Sequence, residues 1–229
     1  MALEIQNQRI VGTINDIHSM NGIGLHDNLQ EKLNGELPIN RFELLHLVNS
    51  WGRDKEFSTN DNIIITECKA TQCYDLSKLD TSEITDMSHI FTNSKFNDIH
   101  STNGIGLHNG DISNWDVSNV TDMRGMFAFA EKFNRPLNKW DVSNVTNMDG
   151  MFTCTRKFDQ ALNNWNVSNV TNMHGMFEYA LKFNQILNSW NVSNVTNMSE
   201  MFFGTPFNQA LDNWNVSNVT SMSRMFEDA

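Results

Sequence analysis

The tryptophans of this chain recur on a fixed period. Trp115, Trp140, Trp165, Trp190 and Trp214 are separated by 25, 25, 25 and 24 residues. Nearly the same phrase surrounds each one. Trp140-Asp141-Val142-Ser143-Asn144-Val145-Thr146-Asn147-Met148 returns as Trp165-Asn166-Val167-Ser168-Asn169-Val170-Thr171-Asn172-Met173. Each unit then runs through a Met-Phe pair such as Met151-Phe152, a second phenylalanine such as Phe158, and a leucine such as Leu162. A period of this length predicts a solenoid, in which no unit can bury its apolar face alone. A weaker unit precedes the array, with Leu79 in the Trp slot and Met87, Phe91 and Phe96-Asn97 following. Leu79 to Trp115 is 36 residues against the usual 25, so this unit carries an 11-residue insertion. Residues 79–229 are therefore expected to form about six units, the first with an insertion at about 98–110 and the last incomplete, breaking off at Ala229.

Two periodicities lie inside a unit. Leu162-x-x-Trp165-x-Val167 alternates like a short strand, with Trp165 and Val167 on one face. Met173, Met176, Phe177, Ala180 and Phe183 recur at the spacing of a helix stripe, and Thr171 stands where an N-cap would be. These patterns predict parallel strands on one side of the array and short helices on the other. In the 24-residue unit, Pro206 is expected to end the helix early. Ser118, Ser143, Ser168, Ser193 and Ser217 stack in register, as do Asn119, Asn144, Asn169, Asn194 and Asn218. An asparagine column of this kind can pair backbone groups from one unit to the next. The Asn-Val-Thr triplets it creates read formally as glycosylation acceptors, but they follow from the repeat itself. Ten of the 13 methionines occupy the paired slots 123/126 to 222/225, which places them in the core rather than on a methionine-rich binding surface.

The phrase Trp-Asp-Val-Ser-Asn-Val-Thr-Asp-Met-x-Gly-Met-Phe at 115–127, followed by Phe-Asn-x-x-Leu, resembles the short leucine-rich-type repeat of BspA-family bacterial surface proteins. Versions of that repeat also occur in mycoplasma lipoproteins. The resemblance spans 79–229. It implies a right-handed, leucine-rich-repeat-like solenoid of α/β class, and adhesion or protein binding at a cell surface or in secreted form. It brings no catalytic residues and no cofactor. The chain departs from the family in showing no leader peptide and no lipid-attachment cysteine at its start.

Residues 1–78 do not fit the repeat and are expected to form an N-terminal α+β cap over the first unit. A helix is predicted near 41–51, with Asn40 and Glu43 forming a capping box, and a strand near 61–67. Cys68 and Cys73 form either a bridge or a pair of thiols, depending on the compartment. One further motif stands out. Asn15-Asp16-Ile17-His18 through Asn28 recurs as Asn97-Asp98-Ile99-His100 through Gly110, with 11 of 14 positions identical. His18, His26, His100 and His108 could share a divalent metal with Asp16 or Asp98. Each copy also reads as a Gly-rich hairpin, and a histidine spacing of eight matches no familiar metal motif.

Composition narrows the function. Sixteen Lys plus Arg against 27 Asp plus Glu give a net charge of −11, opposite to what a nucleic-acid binder or an anionic membrane requires. No apolar run approaches a membrane span, and no hydrolase, phosphate-loop or zinc-protease motif appears. The expected function is a non-enzymatic scaffold for a protein ligand, with a spacer or end-to-end self-assembling domain as the alternative. Two surfaces vary between units. One is the strand-face row Asp116, Asp141, Asn166, Asn191 and Asn215, the candidate binding residues. The other is the helix-side pair of rows, Arg124 to Ser199 and Ala128 to Phe203.

Overall fold

The computed structural model describes residues 31–32, 34–45, 76–93 and 111–229. Cys68, Cys73, the strand expected near 61–67, the insertion at 98–110 and both copies of the histidine motif lie outside the described residues.

Parallel bridges join consecutive units at one recurring position: Asp86 to Asp122, then Asn147, Asn172, Asn197 and Ser221. From there each unit pairs with the next through alternate backbone amides. Met173, Gly175, Phe177 and Tyr179 donate to the carbonyls of Asn197, Ser199, Met201 and Phe203 at 2.8–3.0 Å. The amides between them turn back within the unit. Met176 donates to Met173, Glu178 to Gly175 and Ala180 to Phe177, at 2.9–3.3 Å.

The segment expected to be a helix is thus a chain of four-residue turns. A helix needs each amide to reach the carbonyl four residues back, and here half of the amides leave the unit. The third residue of alternate turns is left-handed, as at Gly175 (φ 54°) in 173–176 and Tyr179 (φ 52°) in 177–180, the type II signature. The physical reason is length: two helical turns are marginal alone, whereas bonding to a neighbour satisfies the same groups along the whole array. The expected inward set is nonetheless correct, since Met173, Met176, Phe177, Ala180 and Phe183 are all fully buried.

Three smaller expectations change with it. The strand expected at Trp165–Val167 alternates as predicted, with Asn166 outward between two buried residues. Pairing between units falls instead at Asn147, Asn172 and Asn197. Thr171 is no helix cap; its hydroxyl donates to the Thr146 carbonyl at 3.1 Å, one rung of a threonine column running to Thr220. Pro206 ends no helix. It stands where the unit loses the turn that Phe183 closes on Ala180, while Thr205 turns its hydroxyl onto the Phe202 carbonyl at 2.7 Å.

Aromatic columns form the core. Phe91, Phe127, Phe152, Phe177, Phe202 and Phe226 stack at 5.3–5.8 Å with rings within 11° of parallel. Phe133, Phe158, Phe183 and Phe207 make a second column beside it. Each Trp indole donates to the leucine-slot carbonyl one unit back, as Trp165 does to Leu137 at 2.9 Å, so a large ring is buried with its polar atom paired. The asparagine column behaves as the sequence predicts: Asn144, Asn169, Asn194 and Asn218 each donate Nδ2 to the preceding unit's serine carbonyl at 2.7 Å. The atom a glycan would need is the atom that joins the units.

Part of the expected cap is described. Residues 41–45 are helical. The capping box is present, with Glu43 N–H to Asn40 Oδ1 and Asn40 N–H to Glu43 Oε2 both at 3.0 Å. Pro38 bridges to Asp80, and Ile39 and Leu44 are fully buried against the first unit.

Candidate interaction faces of the repeats

The row Asp116, Asp141, Asn166, Asn191 and Asn215 is exposed along its whole length. Each side-chain oxygen accepts the amide of the serine two residues on, at 3.0–3.2 Å. These are Asx turns, which any short Asp or Asn side chain can make, so exchange between the two types leaves the backbone alone and changes only surface charge. The Ser118 hydroxyl and amide hold the Asp116 carboxyl below its ordinary value. The outward face is therefore a fixed array with two carboxylates at one end and three amides at the other.

The second variable face carries a chain of charges. His174 Nδ1 lies 2.9 Å from Asp149 one unit back, and its Nε2 lies 3.7 Å from Glu200 one unit on. Arg224 reaches Glu200 at 2.9 Å and Glu227 at 2.8 Å, with its guanidinium 4.4 Å from the Phe203 ring centre. Glu178 sits among them. Burial first, and then the Glu200 charge, push its carboxyl above the usual 4.5, against the opposing pull of His174 and Arg224. A carboxyl with a raised folded value contributes stability that is complete below the unfolded value and is lost as pH rises through the folded one. Glu178→Gln is therefore expected to raise the melting temperature at pH 7, with the gain vanishing below about pH 4.5. A variant no more stable than the parent at pH 7 would contradict this.

Sequence reasoning missed the left-handed residues. Phe129, Cys154 and Tyr179 occupy one such position in successive units, and Glu200 and Arg224 occupy the position that Gly125, Gly150 and Gly175 fill earlier. The signal was available in those recurring glycines, which are costly inside a helix. Burial, then Glu178, push the Cys154 thiol up, so it is not an activated nucleophile. Among the described residues no cluster of three metal-ligating side chains occurs, and no helix is long and apolar enough to cross a membrane. His18, His26, His100 and His108 lie outside the described residues.

No curated protein and no solved structure matches the chain. Residues 59–180, 99–206 and 156–229 each match one family, described as Mycoplasma protein of unknown function, DUF285. These overlapping matches run from 59 to 229 and take in the repeat units of 79–229, whose in-register bridges run from Asp86 to Ser221. The chain belongs to this family of Mycoplasma proteins.

Proposed function

We propose that the chain is a non-enzymatic protein-binding or adhesion scaffold of the BspA type, displayed at a cell surface or secreted. Its repeats would form a right-handed, leucine-rich-repeat-like solenoid in which type II turns take the place of helices. One observation carries the reading: the exposed row Asp116, Asp141, Asn166, Asn191 and Asn215 presents one fixed polar side chain per unit. A rigid row loses little conformational freedom when a partner covers it. The buried columns of each unit are committed to stacking, so variation on such an exposed row can change the ligand without changing the fold.

Beads coated with the chain are expected to attach to animal cells and to lose attachment when the cells are first stripped with protease. Attachment no better than albumin-coated beads, or attachment unaffected by stripping, refutes the reading. A spacer or self-assembling segment is the alternative. Concentration-dependent mass in sedimentation, together with failed attachment, would select it.

A further inference from the structure

Two triplets of the glycosylation type interleave in the units of Trp165, Trp190 and Trp214. One is the Asn-Val-Thr set that begins at Asn169, Asn194 and Asn218. Three residues earlier, Asn166-Val167-Ser168, Asn191-Val192-Ser193 and Asn215-Val216-Ser217 make a second set of the Asn-x-Ser type. N-linked transfer uses two groups of such a triplet: the amide nitrogen that takes the sugar, and the hydroxyl two residues on that completes the recognised motif. The fold treats the two sets in opposite ways.

In the threonine set both groups are engaged. Asn169, Asn194 and Asn218 donate Nδ2 to serine carbonyls one unit back at 2.7 Å. Thr171, Thr196 and Thr220 donate their hydroxyls to threonine carbonyls one unit back at 3.0–3.1 Å. In the serine set neither group has a partner among the described residues. Asn166, Asn191 and Asn215 engage only Oδ1, which accepts the amide of Ser168, Ser193 or Ser217 at 3.1–3.2 Å. Their Nδ2 atoms are left to solvent. Val167 and Val192 are buried between the two groups, so asparagine and serine face outward together. Nor does the fold require asparagine at this position. Asp116 and Asp141 make the same turn at 3.0 Å without an acceptor nitrogen, and the Ser118 hydroxyl bonds to the Asp116 carboxylate at 2.6 Å.

We infer that Asn166, Asn191 and Asn215 are sugar-acceptor sites on the folded chain, taking a hexose from a nucleotide-activated donor through a transferase that reads Asn-x-Ser. The Asn-Val-Thr column stays unmodified. Nδ2 bonds to the anomeric carbon as the bond from that carbon to the donor's phosphate oxygen breaks. The nucleoside diphosphate leaves with the electron pair, Nδ2 gives up one proton to solvent, and nothing is oxidised or reduced. Oδ1 takes no part in the new bond, so the turn onto the serine amide survives. Sugars at these sites would cover the amide end of the row and leave Asp116 and Asp141 open. The inference does not rest on the scaffold reading, and cell attachment does not report on it.

The test incubates the folded full chain with a purified transferase specific for Asn-x-Ser/Thr and uridine-diphosphate glucose, then maps the sugar by peptide mass spectrometry. Hexose is expected on Asn166, Asn191 and Asn215, with about tenfold less on Asn169, Asn194 and Asn218, whose inter-unit hydrogen bonds must first open. Chain digested to peptides before incubation should take sugar on both sets, which attributes the selectivity to the fold. Ser168→Ala keeps the amide that holds Asn166 Oδ1 and should remove sugar from Asn166 alone. No transfer to the folded chain, or equal transfer to both sets, overturns the inference. Sugar retained on Asn166 in the Ser168 variant, or the same selectivity in the digested chain, overturns it as well.

Discussion

Replacing Phe152 with alanine is expected to destabilise the array by about 3–5 kcal/mol, the range for truncating a large buried aromatic. Phe152 is fully buried at the middle of its column. It stacks on Phe127 at 5.5 Å and Phe177 at 5.6 Å, and lies 4.2 Å from Phe158 in the adjacent column. Removing its ring opens a void that backbone movement cannot close, because its own amide is pinned to the Met176 carbonyl of the neighbouring unit at 2.9 Å, and those of Gly150 and Cys154 to His174 at 2.8 Å and Glu178 at 2.7 Å. The internal control is Phe226→Ala in the last unit. Phe226 stacks on one side only and is 50% exposed, so its truncation should cost no more than about 1–2 kcal/mol. Chemical denaturation of the two variants separates the cases. Equal losses would mean that the columns do not bear the stability assigned to them.

How much of this was legible in the residues follows from what each signal can distinguish. Burial followed from the period of 25: Trp165, Val167, Met173 and Phe177 all face inward where the pattern put them. The asparagine column was legible too, because an amide repeated in register has a carbonyl to pair with one unit away. Conformation was not legible, because spacings of three and four residues describe both a helix and a chain of four-residue turns. Gly125, Gly150 and Gly175 could have decided between them, since a recurring mid-helix glycine is a poor helix residue and a good left-handed one. The left-handed column was missed for a related reason. Phe129, Cys154 and Tyr179 look unrelated in sequence, and only the left-handed turn reveals that they share one outward column. The Asx row was legible as a strand face that varies between units, but its local bonds to serine amides became visible only in the turn geometry.

The cap at the start of the array gives the second large effect, because it is held by a contact that tolerates no side chain. Gly35 has φ 75°, and a Cβ placed there would run into the Lys78 carbonyl oxygen. Gly35→Ala therefore combines left-handed strain, about 1–2 kcal/mol for an L-residue, with a backbone collision that no rotamer relieves. Residues 34–45 would have to withdraw from the first unit. Withdrawal breaks the 2.9 Å bond from Ile39 N–H to the Asp80 carbonyl and exposes Ile39 and Leu44, each worth about 1.5–3 kcal/mol of burial. It also frees the Ser88 carbonyl, which Arg41 holds at 2.8 Å. That carbonyl corresponds to the one on Arg124, which accepts the His89 amide at 2.9 Å, so Arg41 does for the first unit what a preceding unit does for every later one. Gly35→Ala is expected to cost at least about 3 kcal/mol and to remove hydrogen-exchange protection from residues 41–45. Gly35→Asn separates the two causes. Asparagine tolerates the left-handed region but carries the same Cβ, so it should fall as far as alanine if the collision dominates. Recovery with asparagine would assign the loss to backbone conformation, and an alanine variant within about 0.5 kcal/mol of the parent, the range of an unremarkable surface change, would show that the cap does not depend on this contact.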